Sequence, residues 1–213
     1  MATNPDGPKP LSRSRKSADK RDAIIRAAIE IINAKSYSLA TMTEIAASLD
    51  LRDAALYYYF HSKQALAYAC HIQSLGRFDK LLGKAENAGG SGAAKLQKFI
   101  RLMLDDASHN GPQLYFGDYS YLNAAQRETV DSLAAVLRAQ LERFLREGMA
   151  DGSIVQCEPH LVVHLLIGML VWLAKWVPSI EGMTVDRLMN AIGAFSLHGL
   201  ESRNLSESPD THG

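Results

Sequence analysis

The sequence predicts an all-α protein in two parts: an N-terminal three-helix domain built round a helix-turn-helix and a larger C-terminal helical body. Three observations predict it. Apolar residues recur at three- and four-residue spacing from Ile24 to Phe195, the period of helices that bury one face. Thr41 and Glu44 form a capping-box pattern ahead of Met42, Ile45, Ala46 and Leu49, and a second short apolar run follows after a tight turn. No segment alternates with period two between turn residues, as a strand would.

Length and composition set the outer bounds. With 213 residues the chain can bury a substantial core. Its 47 % hydrophobic and 22 % charged residues are ordinary for a soluble globular protein. Formal net charge is zero, but it is unevenly spread. Between Lys9 and Lys63, ten cationic side chains face six carboxylates, which leaves +4 there and −4 elsewhere. A basic head on a mildly acidic body fits a nucleic-acid reader joined to a sensing domain. Two distant cysteines, Cys70 and Cys157, imply no disulfide framework and point to a reducing cytoplasm. No apolar leader opens the sequence.

Residues 1–18 read as a flexible basic arm, rich in Pro and Gly up to Pro10 and then carrying Arg13, Arg15 and Lys16. Helix one is expected from about Lys20 to Lys35, with Ile24, Ala27, Ala28, Ile31 and Ile32 inward. Thr41 then caps the second helix, and Asp50 follows it where a left-handed residue is usual. The third helix packs Leu56, Tyr59 and Phe60 inward and turns Tyr57 and Tyr58 elsewhere. Two short helices over a tight turn make a helix-turn-helix, whose second helix enters the DNA major groove.

Tyr37, Thr41 to Ala46, Leu51 and Leu56 to Leu66 together resemble the TetR family of bacterial transcriptional regulators. The match runs across three helices and two turns. Three positions depart from the family pattern: Ser36 and Asp50 stand where Gly is usual, and Arg52-Asp53 opens the reader helix. The resemblance implies a homodimer on double-stranded operator DNA, with a small-molecule effector in the C-terminal domain. Thr41, Thr43, Tyr57, Tyr58 and Lys63 are the expected phosphate contacts, Lys63 at a helix N-terminus suited to an anion. Arg52, Asp53, Ala54 and Ala55 are placed to meet bases, the alanine methyls against thymine methyls.

The domain at 19–64 gives way to a ligand-binding and dimerisation domain at 65–204 and a disordered tail at 205–213. A helix from Ser62 to about Leu82 joins the two domains and can transmit motion between them. Gly89, Gly90 and Gly92 break the chain. A stripe through Leu96, Phe99, Ile100, Met103 and Leu104 follows, then an aromatic stretch containing Tyr115, Phe116 and Tyr119. A long helix covers about Ala124 to Met149, with Val130, Leu133, Leu137, Leu141 and Leu145 inward. The next, Glu158 to Val177, is apolar nearly all round; it is interrupted by Lys175 and ends before Pro178, too short a run to cross a membrane. With the last helix, Val185 to Leu200, it is expected to form the dimer interface through Leu166, Leu170, Leu188, Ile192 and Phe195.

An apolar effector pocket is expected among Phe99, Met103, Tyr115, Phe116, Tyr119, Phe144, Met149, Met169, Trp172 and Trp176, with Lys175 as the cation for an anionic head. The stretch Trp172 to Trp176 resembles one found in TetR-like regulators of fatty-acid or steroid catabolism, which bind acyl-CoA thioesters; Lys175 stands where Arg is usual. Cys157, His160 and His164 have ligand-like spacing but no evident fourth ligand, so no metal site and no cofactor is expected. No nucleophile elbow, phosphate-binding loop or dinucleotide fingerprint occurs, which argues against an enzyme. The expected function is a sequence-specific regulator, a repressor released by an apolar or acyl-CoA-type ligand. The alternative is a helical small-molecule binding protein with weakened or lost DNA affinity.

Overall fold

A computed structural model describes residues 11–114 and 119–197. The 1–10 segment, Tyr115, Phe116 and the 205–213 tail lie outside the described residues. Every described element is helical: α1 Leu11–Lys35, α2 Met42–Ala47, α3 Asp53–Tyr59, α4 Lys63–Asn87, α5 Gly92–Asn110, α6 Ala124–Asp151, α7 Pro159–Trp176 and α8 Val185–Ile192. The chain forms two compact units that divide between His71 and Ile72.

In the first unit, α1 starts at Leu11, well before the expected Lys20, so part of the stretch read as an arm is helix. Polarity there implies only that nothing is buried; with no Gly or Pro between Leu11 and Lys35, nothing stops helix propagation. The buried face of α1 is Ile24, Ile25, Ala28, Ile29 and Ile32; Ala27 and Ile31, expected inward, are half-buried. These side chains pack with Met42, Ile45 and Ala46 of α2, with Leu56 and with Leu66 of α4 in one core.

Both helix ends that depart from Gly take the backbone form that favours Gly. Ser36 has φ 81° and Asp50 φ 54°. After α2 the Leu51 N–H donates to the Ala46 carbonyl at 2.9 Å and the Asp50 N–H to the Ala47 carbonyl at 3.1 Å, a Schellman closure that turns the chain sharply into α3.

In the second unit α5 lies against α6 at its very start. A Cβ on Gly92 would stand 2.1 Å from the Gly148 nitrogen and 2.3 Å from the Phe144 carbonyl oxygen, so only Gly fits. The Gly92 N–H donates to Asp151 at 2.8 Å and the Ala93 N–H to the Ser153 hydroxyl at 3.2 Å, which serves two orphan donors of α5. At its other end, Arg77 of α4 pairs with Asp106 through Nε and Nη2 and donates to the Gly111 carbonyl at 2.9 Å.

On α6, Leu133 is 42 % exposed rather than inward; Val130, Ala134, Leu137, Leu141 and Leu145 form the buried stripe. The α7 helix buries Val163, Leu166, Leu170 and Leu173 and leaves Leu161, Leu165, Gly168 and Trp172 outward. The final helix begins at Val185 as expected; α8 runs to Ile192 and passes into a π-helical stretch, Gly193–Leu197, and residues 198–200 lie outside the described residues. Among the described residues no helix is long and apolar enough to cross a membrane.

Candidate nucleic-acid interface and interior cavities

The candidate reading surface is assembled from α2, α3 and the start of α4. Thr41 caps α2, its Oγ1 accepting from the Glu44 N–H at 3.1 Å. The Glu44 carboxylate pairs with Lys35 at 2.5 Å rather than closing the reciprocal half of the capping box. Thr43, on the exposed side of α2, donates from Oγ1 to Asp53 Oδ2 at 2.6 Å. That bond pins the start of α3 to α2 and engages the one carboxylate of α3. Arg52 and Ala54 stand exposed beside it, while Ala55 is half-buried. Tyr57 is 48 % and Tyr58 83 % exposed, so both hydroxyls lie outside the core; Tyr59 meets Tyr58 edge-on at 5.2 Å.

Lys63 opens α4, and Ser62 caps it by accepting from the Ala65 N–H at 3.1 Å. The Lys63 ammonium donates to the Ala40 carbonyl at 2.6 Å and the Ser38 carbonyl at 3.3 Å, over the Tyr37 ring at 4.3 Å. It is thus held at the loop that enters α2. Arg21 lies over the Phe60 ring at 4.8 Å and fixes the far end of α3 against α1.

Two cavities stand out among the described residues of the second unit. The larger, about 410 Å³, is walled by Leu75 and Phe78 of α4, by Tyr119 ahead of α6, by Ala134, Leu137 and Arg138 of α6, and by His164, Ile167, Gly168, Val171 and Trp172 of α7. Tyr119 donates to Asp131 at 3.0 Å; burial and that carboxylate raise its phenol pKa, and the nearby Arg138 charge opposes the rise. The smaller, about 200 Å³, lies between α5, the 111–113 turn, α7 and α8, with Met103, Pro112, Leu170 and Leu188 among its walls.

A family model described as "Bacterial regulatory proteins, tetR family" matches residues 24–70, and one described as "Tetracyclin repressor-like, C-terminal domain" matches residues 89–200, more than half the chain. The chain belongs to the TetR family. It is therefore a DNA-binding transcriptional regulator by family, with the helix-turn-helix at its N-terminal end. Among solved structures it is similar to the TetR-family regulator PfmR from Thermus thermophilus, at 22 % identity over 84 % of this chain and 98 % of that one, TM-score 0.68. It is also similar to the ketosteroid transcriptional regulator KstR2 of Mycobacterium tuberculosis, at 14 % identity over 86 % and 96 %, TM-score 0.74. A third, AibR in complex with isovaleryl coenzyme A and operator DNA, is 19 % identical over 82 % and 97 %, TM-score 0.65. At these identities the likeness establishes the fold. No curated protein sequence matches the chain.

Within this TetR-family body the expected effector residues scatter. Tyr119 and Trp172 wall the larger cavity and Met103 the smaller. Phe99 and Phe144 are wholly buried core, Phe99 packing on Phe78 at 4.9 Å between ring centres. The Met149 sulfur accepts from the Cys157 N–H at 3.4 Å, Met169 is half-buried, and Lys175 and Trp176 are exposed; none of the four walls either cavity. The expected interface residues Leu166, Leu170, Leu188 and Ile192 are buried inside the single chain, whereas Phe195 is 84 % exposed. Among the described residues no cluster of three or more His, Cys, Asp or Glu is arranged to hold a metal. His160 meets Glu142 at 3.1 Å, and the His164 Nδ1–H donates to the His160 carbonyl at 2.8 Å.

Sequence reasoning passes over Arg138, Ile167 and Val171 as cavity residues. For Arg138 a signal exists: it stands four residues after Ala134 on the buried side of α6, a cation in an apolar stripe.

Proposed function

We propose that this chain is a homodimeric repressor, released from its operator by a small apolar or acyl-CoA-type ligand held in the second unit. In this reading residues 19–64 read DNA, and residues 65–204 bind ligand and dimerise. Thr41, Thr43, Tyr57, Tyr58 and Lys63 meet phosphates, while Arg52, Asp53, Ala54 and Ala55 face bases. The observation that carries the reading is the larger cavity, because its wall and the outward apolar face of α7 share residues. His164, Gly168 and Trp172 belong to both. With Leu161, Leu165 and the exposed Phe195 they offer an apolar seam for a second copy. A ligand packed against Trp172 then acts at the dimer seam, and the seam sets the spacing of the two readers in successive major grooves. The ligand selects a dimer shape for which that spacing fails, by as much as its affinities for the two shapes differ. A structural relative, AibR, seen in complex with isovaleryl coenzyme A and operator DNA, supports a fold that accepts both an acyl-CoA and DNA.

The test is duplex binding. DNA selected by the protein from a random pool should bind with affinity that falls steeply as salt rises. Lys63→Ala should weaken all duplexes alike and lower the salt slope by about one. An altered base preference with the slope intact would mean that α3 and α4 are differently placed on DNA. Absence of salt-dependent duplex binding would leave a helical ligand-binding protein without DNA affinity.

A further inference from the structure

The wall of the larger cavity holds Arg138 and His164 and no acidic side chain among the described residues. A guanidinium stays charged at any physiological pH. Facing an otherwise apolar cavity, such a charge is costly unless an anion or water meets it. Among the described ion pairs, the arginines of this unit that hold carboxylates are Arg77, Arg101, Arg143 and Arg146; none includes Arg138. The Asp131 carboxylate accepts from the Tyr119 hydroxyl. The His164 ring is the second basic group, oriented by its Nδ1–H bond to the His160 carbonyl. Beyond the Tyr119 phenol, the rest of the wall, including Phe78, Leu137, Ile167 and Trp172, is apolar.

We propose that this cavity binds an organic anion with an apolar body, its charged group paired with the Arg138 guanidinium and its body against Phe78, Leu137, Ile167 and Trp172. The inference deepens the effector reading above and rests on it, and it moves the ligand's cation from Lys175 to Arg138. The volume, about 410 Å³, sits in the lower part of the range for small-ligand sites, of order 300–1,000 Å³. A medium-chain or aromatic carboxylate suits it. A thioester would place its acyl part inside and use a phosphate for the charge. A carboxylate or phosphate can take two parallel hydrogen bonds from the guanidinium fork, which a neutral alcohol cannot.

The experiment measures ligand binding to the full chain without DNA, so that its failure is separate from failure of the regulator reading. Octanoate, 1-octanol and octanoyl-CoA are titrated near neutral pH, by calorimetry and by indole fluorescence. The chain's two tryptophans are Trp172 and Trp176, and Trp172 walls the cavity. Octanoate should bind about ten-fold or more tighter than octanol, the effect of one charge-assisted pair in a partly buried site. Arg138→Gln should abolish that preference and leave octanol binding unchanged; Arg138→Lys should restore part of it. Thermal melts of both variants separate a lost contact from a lost fold. If octanoyl-CoA binds more tightly with the same Arg138 dependence, the anion is the thioester's phosphate; if octanoate alone binds, it is a carboxylate. Octanol binding as tightly as octanoate, an Arg138→Gln protein with unchanged octanoate affinity, or no binding of either anion at millimolar concentration each overturns the proposal.

Discussion

Replacing Gly92 by Ala tests the close approach of α5 and α6 that shapes the second unit. The new Cβ would lie 2.1 Å from the Gly148 nitrogen, 2.3 Å from the Phe144 oxygen and 2.4 Å from the Gly148 Cα. Carbon contacts relax only near ~3.5–4.0 Å, so α5 must withdraw by more than about 1 Å. All three neighbours are backbone, and no rotamer change relieves them. Withdrawal also breaks the Gly92 bond to Asp151 and the Ala93 bond to Ser153. Over-packing costs roughly 1–3 kcal/mol. Two lost hydrogen bonds add about 1 kcal/mol each, and the helix preference of Ala over Gly returns up to about 1 kcal/mol. A net loss of about 3 kcal/mol lowers Tm by roughly 6–12 °C in a chain of this size. The assay is a thermal melt followed by circular dichroism, with two companions. Gly148→Ala would meet the Ile154 side chain, Cδ1 at 2.5 Å and Cβ at 3.0 Å, rather than backbone, and should cost less. Gly76→Ala in α4 meets nothing within 4 Å and should be neutral or stabilising. A Gly92→Ala protein melting with Gly76→Ala would refute the close approach and the reasoning built on it.

Ser36→Gly and Asp50→Gly should each stabilise the first unit, by up to about 1 kcal/mol in urea titrations, because both residues hold left-handed backbone at a cost of ~1–2 kcal/mol that the entropy of Gly only partly cancels; loss of stability would place their value in side-chain bonds instead. Burial lowers the His71 pKa to about 4 from an ordinary 6.5, so the imidazole stays neutral in the fold and takes a proton in the unfolded chain. Stability should therefore be full above pH ~6.5 and decline by roughly 2–3 kcal/mol as pH falls toward ~4, and His71→Gln should flatten the decline above pH ~4.5, before carboxylates titrate; an unchanged pH profile would mean that His71 is solvated. Leu165, 74 % exposed, and Leu166, 5 % exposed, separate seam from core. Leu165→Glu should give folded monomer in sedimentation and Leu166→Glu an unfolded or aggregated chain, whereas a Leu165→Glu dimer of parent size would move the seam elsewhere.

The helical class, the helix-turn-helix and most boundaries are legible in the residues alone, because these rest on local chemistry. A Thr41 cap, a Schellman end at Asp50 and apolar periodicity act within a few residues of themselves. The start of α1 is not legible, because a polar stretch without Gly or Pro forms helix as readily as coil, and composition alone does not separate them. Packing alone selects which face of an all-apolar helix goes inward. Leu165 and Leu166 are indistinguishable by residue type, and the partners contributed by distant elements bury one and leave the other outside. The same holds at both sites. By sequence Asp53 is one of the residues placed to meet bases; in the fold Thr43, ten residues away, holds it. By sequence Lys175 is the cation of an effector site, whereas the fold lines the cavity with Arg138 from another helix. Local pattern sets what a segment becomes; the charges and walls of a cavity come from residues far apart in sequence, and only packing brings them together.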